Sequence, residues 1–121
     1  MIIHADATKT KPGTRFYIHC RNIASAVMFL LEHGEGREKY NIVGEREVNN
    51  LEMAQFIAGV IGKPLKYELV DFHSSRPGHD LRYALDGTKM TGLGWNIPMS
   101  FEDSLRSTIL WTLDRKEWVG L

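Results

Sequence analysis

Only one cysteine, Cys20, occurs in these 121 residues. A disulfide framework and a cysteine-built metal knuckle are therefore excluded, and a reducing, cytoplasmic compartment fits. Net charge is lacking as well. The 15 Lys and Arg balance the 15 Asp and Glu, so no overall field draws the chain to a nucleic acid or a membrane surface. No apolar run is long enough to span a bilayer. The opening, MIIHADATKTKPG, turns polar after Ile3 and has no apolar core of a secretory leader, so none is expected. Internal repeats and low-complexity segments are missing too.

Catalytic patterns are equally scarce. Four residues after Tyr17, Tyr40, Tyr67 and Tyr83 stand Arg21, Gly44, Asp71 and Gly87, so no Tyr-x-x-x-Lys pair exists. The glycines at 34 and 36, and at 92 and 94, never complete a G-x-G-x-x-G loop, and no G-K-[ST] phosphate loop is present. His4, His19, His33, His73 and His79 offer no H-x-x-x-H pair for a metal. Ser74 and Ser75 precede His79, but nothing marks either as an activated nucleophile. Neither a catalytic residue nor a metal ligand is assigned.

What is there is one domain's worth of alternating structure. RFYIHC has the aromatic and branched content of a strand after a loop-like opening. Ile23, Ala26, Val27, Leu30 and Leu31 then share one helical face, with Asn22 and Gly34 as caps. KYNIVG reads as a buried strand. A second helix runs from about Leu51 to Ile61 and stops at Gly62 and Pro64. Asn49 and Glu52 have capping-box spacing, which leaves Asn50 free or as the alternative cap. LKYELVD alternates like a half-buried strand, a short helix follows Asp86, and a last helix starts at Ser100 and buries Phe101, Leu105, Ile109 and Leu113. Tyr83, Trp95 and Trp111 are expected in the core. The fold class is α/β, helix-rich, with about four helices and short strands.

One loop carries more chemistry than a turn needs. In FHSSRPGHDLRYALDG, Pro77 fixes one dihedral and Gly78 lets the chain reverse, so Arg76 and His79 can face one ligand. Arginine supplies the planar, permanently charged fork that an anion of paired oxygens accepts. The plainer alternative is a solvated loop on which Arg76 and Arg82 pair with Asp71, Asp80 or Asp86. Likewise, Asn50 can be only a cap, Arg15 only a strand-edge charge, and His79 can bond within its own loop.

The order of segments, RFYIHC through KPL, then RPGHDLRYALDGTKM, then LGWNIPMSFEDSLRSTILWTL, resembles the carboxy-terminal half of the NAD-dependent nucleotide-sugar epimerases and dehydratases. These are the extended short-chain dehydrogenase/reductases, and the likeness is greatest to their dTDP-glucose 4,6-dehydratase branch. It runs from about Gly13 to Leu113. The resemblance implies the helix-rich lobe of a Rossmann-type enzyme that binds a nucleotide-diphosphate sugar. Arg15 matches an arginine that reaches the diphosphate, Asn50 a polar residue beside the nucleotide, and Arg76 and His79 the R-P-G-H loop that closes on the diphosphate.

The sequence also departs from that pattern. Cys20-Arg21-Asn22 stands where the family has Val-Asp-Asp, and the stretch between Lys89 and Leu93 is one residue short. The family's glycine loop for NAD and its Tyr-x-x-x-Lys pair have no counterpart within these 121 residues. The expected reading is thus a substrate-binding portion, 1–121, that binds no NAD and catalyses nothing alone, with NAD serving the parent enzyme. Without the amino-terminal Rossmann domain, the apolar sides of KYNIVG and the first helix should drive self-association into a homo-oligomer. The alternative is a free-standing, non-catalytic binding or oligomerisation module.

Overall fold

The computed structural model describes residues 1–75, 77–78 and 80–120. Its elements, in chain order, are β1 (Ile2–Ala5), β2 (Thr14–Arg15), α1 (Cys20–His33), β3 (Val48–Asn49), α2 (Asn50–Ile61), β4 (Glu68–Asp71), α3 (Phe72–Ser75), β5 (Arg82–Tyr83), α4 (Thr88–Gly92) and α5 (Phe101–Asp114). A 3₁₀ turn, Lys116–Val119, follows. The class is mixed α/β. Five helices stand where four were expected, because the single turn α3 closes off β4.

The strands form two small sheets. β1 pairs in parallel with β4, Ile2 facing Glu68 and Ala5 facing Asp71. β2 lies between β3, antiparallel, and β5, parallel. The opening is therefore a strand and not the expected loop. Ile3 and Ala5 are buried, and Asp6 then folds the chain back. Its Oδ1 accepts from the Thr10 and Lys11 amides at 2.9 and 3.0 Å, and its Oδ2 from the Thr8 hydroxyl at 2.8 Å. These bonds, the Lys11 amide foremost, hold the Asp6 carboxyl below its ordinary pKa. The turn delivers Gly13 back to β1, where its amide donates to the His4 carbonyl at 3.1 Å.

Two expected strands are missing. Of RFYIHC only Arg15 is in a ladder, and Cys20 already opens α1. The residues of KYNIVG have no regular structure. Both segments have strand composition and lie against each other, a Cβ on Gly44 meeting the Tyr17 carbonyl, yet among the described residues no ladder joins them. The α1 cap differs too. His19 takes that place, its Nδ1 accepting from the Arg21 amide at 3.1 Å, while Asn22 is buried and donates to the Met99 carbonyl at 2.8 Å.

α2 and α5 begin as the sequence indicates. Asn49 Oδ1 accepts from the Glu52 amide at 2.8 Å, and Ser100 Oγ from the Asp103 amide at 3.1 Å. The reciprocal half of the capping box is not made. Glu52 instead joins Glu102 on Arg46, at 2.7 and 2.6 Å, tying the β3 approach to both helices. α2 and α5 meet through Phe56 and Phe101, whose rings are 6.3 Å apart.

The main core gathers Ala26, Met90 and Trp95, with Ile18, Phe29, Leu30, Tyr40, Ile42 and Ile97 packed on it. Trp95 is buried as expected, its Nε1 donating to Ser25 Oγ at 3.3 Å. Tyr83 and Trp111 are not core residues. They are 46% and 45% exposed, each under an arginine, Arg15 and Arg115 respectively. α1 sinks only part of its apolar face. Ala26 is sealed, whereas Val27 is 47% and Leu31 75% exposed. Leu113, expected to be buried, is also exposed. No helix among the described residues is long and apolar enough to cross a membrane.

Candidate functional site

Gly13 is where the chain's separate parts converge. Besides its bond to His4, its carbonyl accepts from the Asn50 amide at 2.9 Å, and next to it the Thr14 amide donates to the Leu81 carbonyl at 2.9 Å. β1, the start of α2 and the segment before β5 are thereby pinned to one point. The approach is close. A Cβ on Gly13 would stand 3.1 Å from the Leu81 carbonyl oxygen, 3.4 Å from Asn50 Nδ2 and 3.6 Å from Arg15 Nη1.

Around this point lies a cavity of about 170 Å³ lined by His4, Gly13, Arg15, Asn50, Phe72, Asp80 and Leu81. Two predicted site residues, Arg15 and Asn50, therefore share one cavity although they are far apart in sequence. Arg15 also borders a second, more apolar space of about 270 Å³ formed with Phe16, Ile42, Val43, Tyr83, Ala84 and Leu85. It thus stands at the junction of a polar and an apolar compartment.

The bonds of Arg15 leave it available. Nη1 donates to the Thr14 carbonyl at 2.7 Å and the Leu81 carbonyl at 3.2 Å. The guanidinium lies 4.2 Å from the centre of the Tyr83 ring, which steadies it by a cation–π contact. Among the described residues it has no carboxylate partner within ion-pair distance. The half-buried arginine is thus propped by two carbonyls and a ring, and Asp80 lines the same cavity.

Arg82 shows the opposite case. Its Nε and Nη2 donate to the two carboxylate oxygens of Glu47 at 2.7 and 2.9 Å, and Thr14 Oγ1 donates to the same group at 2.5 Å. Arg82, then Thr14, hold the Glu47 carboxyl down to about 2. Arg82 is a structural clamp across β3, β2 and β5, and its partner is none of the three aspartates weighed from the sequence.

Asn50 is the first residue of α2, with Asn49 as the cap. Its side chain is therefore free for the cavity, and its Oδ1 accepts from the Tyr17 hydroxyl at 2.6 Å. Arg76 and His79, the other two predicted site residues, lie outside the described residues. His4 was missed because the opening read as a loop. IIHA does not alternate apolar with polar, and its partner strand, β4, is distant in sequence, so no local signal marked it.

No family model matches the chain. Individual proteins do. It is 33% identical over 130 residues to a probable dTDP-glucose 4,6-dehydratase of Sinorhizobium fredii, covering 98% of this chain and 37% of that one. A dTDP-glucose 4,6-dehydratase of Neisseria meningitidis is 37% identical over 114 residues, covering 86% of this chain and 32% of the relative. In three dimensions it matches a dTDP-glucose 4,6-dehydratase of Bacillus anthracis, solved in complex with NAD, with a TM-score of 0.79 and 31% identity over 97% of this chain and 35% of that one.

The chain belongs to the NAD-dependent epimerase/dehydratase family. It spans about a third of the length of these bacterial relatives, 37% and 32% of the two sequences. A UDP-glucose 4-epimerase of Bifidobacterium longum shares the fold, with a TM-score of 0.74 at 23% identity. NAD's diphosphate needs a glycine-rich turn running from a strand into a helix N-terminus. Among the described residues, β1 runs into the Asp6 turn, the connections into α1, α2 and α3 carry no glycine, and the one into α4 carries the single Gly87 before a helix of 5 residues. These residues do not fit NAD, and no step is assigned to it in this chain.

Proposed function

We propose that this chain is the substrate-binding portion of an NAD-dependent nucleotide-sugar dehydratase or epimerase, and that it grips the nucleotide diphosphate without performing the chemistry. The observation that carries the reading is Arg15, half-buried, unpaired with any acid among the described residues, and placed between a polar cavity and an apolar one.

A diphosphate flanked by two unlike groups suits that placement. The charged centre lies on Arg15, and the nucleoside and sugar extend to either side. The polar cavity, at about 170 Å³, is smaller than the ~300–1,000 Å³ of a complete ligand pocket, so it takes only part of such a molecule. Asn50 adds an amide donor beside Arg15. In this reading Arg76 and His79, from the R-P-G-H loop, close on the same phosphates. Oxidation and elimination belong to the NAD-binding part of the parent enzyme.

The test is calorimetric titration of the chain and its Arg15 variants with dTDP. Arg15→Ala should weaken binding by about 1.5–3 kcal/mol, the worth of a charge-assisted hydrogen bond. Arg15→Lys should restore only part, because an ammonium cannot fork across two oxygens. Equal affinities for all three proteins would remove Arg15 from the site.

A further inference from the structure

Tyr17 belongs to two sites at once. Its side chain helps line a groove of about 320 Å³ between α1, α2 and α5, together with Ile18, Met53 and Leu105. Its hydroxyl donates to Asn50 Oδ1 at 2.6 Å, and Asn50 lines the cavity of Arg15. We propose that Tyr17 is a positioning residue of the nucleotide site: by taking the oxygen of the Asn50 amide it turns Nδ2 toward the ligand. This rests on the reading of that cavity as a nucleotide-diphosphate grip.

A carboxamide has an acceptor end and a donor end, and which end faces a phosphate decides between attraction and repulsion. Asn50's backbone is already fixed, since its amide donates to the Gly13 carbonyl and it opens α2. Only the side-chain torsions remain, and the Tyr17 hydroxyl sets them. Nδ2 and Arg15 Nη1 then flank the same spot above Gly13, 3.4 and 3.6 Å from where a Cβ there would stand. Nη1 gives its hydrogens to the Thr14 and Leu81 carbonyls, so the donors left for an anion in the cavity are Asn50 Nδ2 and the remaining N–H groups of the Arg15 guanidinium. Burial raises the Tyr17 phenol above its ordinary pKa, with the Arg15 charge opposing, so the hydroxyl remains a donor through the neutral range.

Without the hydroxyl the amide is free to turn its oxygen toward Arg15. That contact would occupy the guanidinium and place an acceptor where the phosphate must approach. Tyr17→Phe keeps the ring and removes only the hydroxyl, the group that bonds Asn50.

The experiment compares the chain with Tyr17→Phe, Asn50→Ala and the double variant. Nitrogen-resolved NMR reads the Asn50 side-chain amide, and dTDP titration reads affinity. Tyr17→Phe should shift the Asn50 amide signals and weaken dTDP binding about three- to tenfold, the worth of one net hydrogen bond. It should cause no further loss once Asn50 is Ala. A purely structural tyrosine would weaken binding equally in both backgrounds, and that result, or unmoved Asn50 signals, overturns the proposal. Wild-type chain that fails to bind dTDP overturns the reading of the site itself, and the role of Tyr17 falls with it. Wild-type binding with additive losses overturns Tyr17 alone.

Discussion

Replacing Gly13 by alanine adds one methyl at the most crowded point of the site. Its Cβ would come 3.1 Å from the Leu81 carbonyl and 3.4 Å from Asn50 Nδ2, so the segment before β5 must give by a few tenths of an ångström. The Thr14–Leu81 bond, 2.9 Å long, lies in that path and lengthens. Overpacking of this kind costs about 1–3 kcal/mol. For a chain of this size each kcal/mol lowers Tm by roughly 3–6 °C, so a fall of about 3–18 °C is expected. The same methyl enters the cavity between Arg15 and Asn50, and dTDP affinity should fall with stability. Thermal melts by circular dichroism and dTDP titration measure the two effects. Gly36→Ala is the control, because nothing lies within 4 Å of its Cβ position. Gly13→Ala that melts and binds like Gly36→Ala would refute the close approach on which the site is built.

Other outcomes follow from particular residues. Glu47 has a folded pKa of about 2 against an ordinary value of 4.5, so its contribution is present above pH 4.5 and is lost as pH falls through 2. Urea melts across that window should show a shallower acid limb for Glu47→Gln, and an unchanged limb would remove the clamp. Gly59 lies inside α2 with open space around it, so Gly59→Ala should stabilise by about 1 kcal/mol, read by the denaturation midpoint. The exposed Val27 and Leu31 on α1 should make the chain self-associate at micromolar concentration, and Leu31→Glu should reduce it. Sedimentation showing a clean wild-type monomer would contradict this.

Local signals were legible where the structure is local. Asn49 with Glu52, and Ser100 with Asp103, mark the true starts of α2 and α5, because a cap is completed within three residues. Nonlocal structure was harder to read. The strand β1 is four residues long and acquires its identity from β4, on the far side of α2, so a polar turn at Asp6 made it look like a loop. KYNIVG has strand composition and its Gly44 lies against the Tyr17 carbonyl, yet among the described residues no ladder forms there, and composition does not report whether one closes. Tyr83 and Trp111 read as core because they are large and aromatic, yet each serves as the floor for an arginine. For the site, Arg15 and Asn50 came from the family likeness. Their convergence on Gly13, with His4 beside them, is a product of tertiary packing that spacing does not encode.

The most direct test of the account is a titration of isotopically labelled chain with dTDP, and separately with NAD, followed by backbone amide NMR. Saturable shifts with dTDP are expected, centred on Gly13, Arg15, Asn50 and Leu81 and lost in Arg15→Ala, with no saturable shifts on adding NAD. Saturable NAD binding in the micromolar range, or dTDP shifts that avoid Gly13 and Arg15, would contradict the claim that this lobe grips the nucleotide diphosphate and leaves the cofactor to another part of the enzyme.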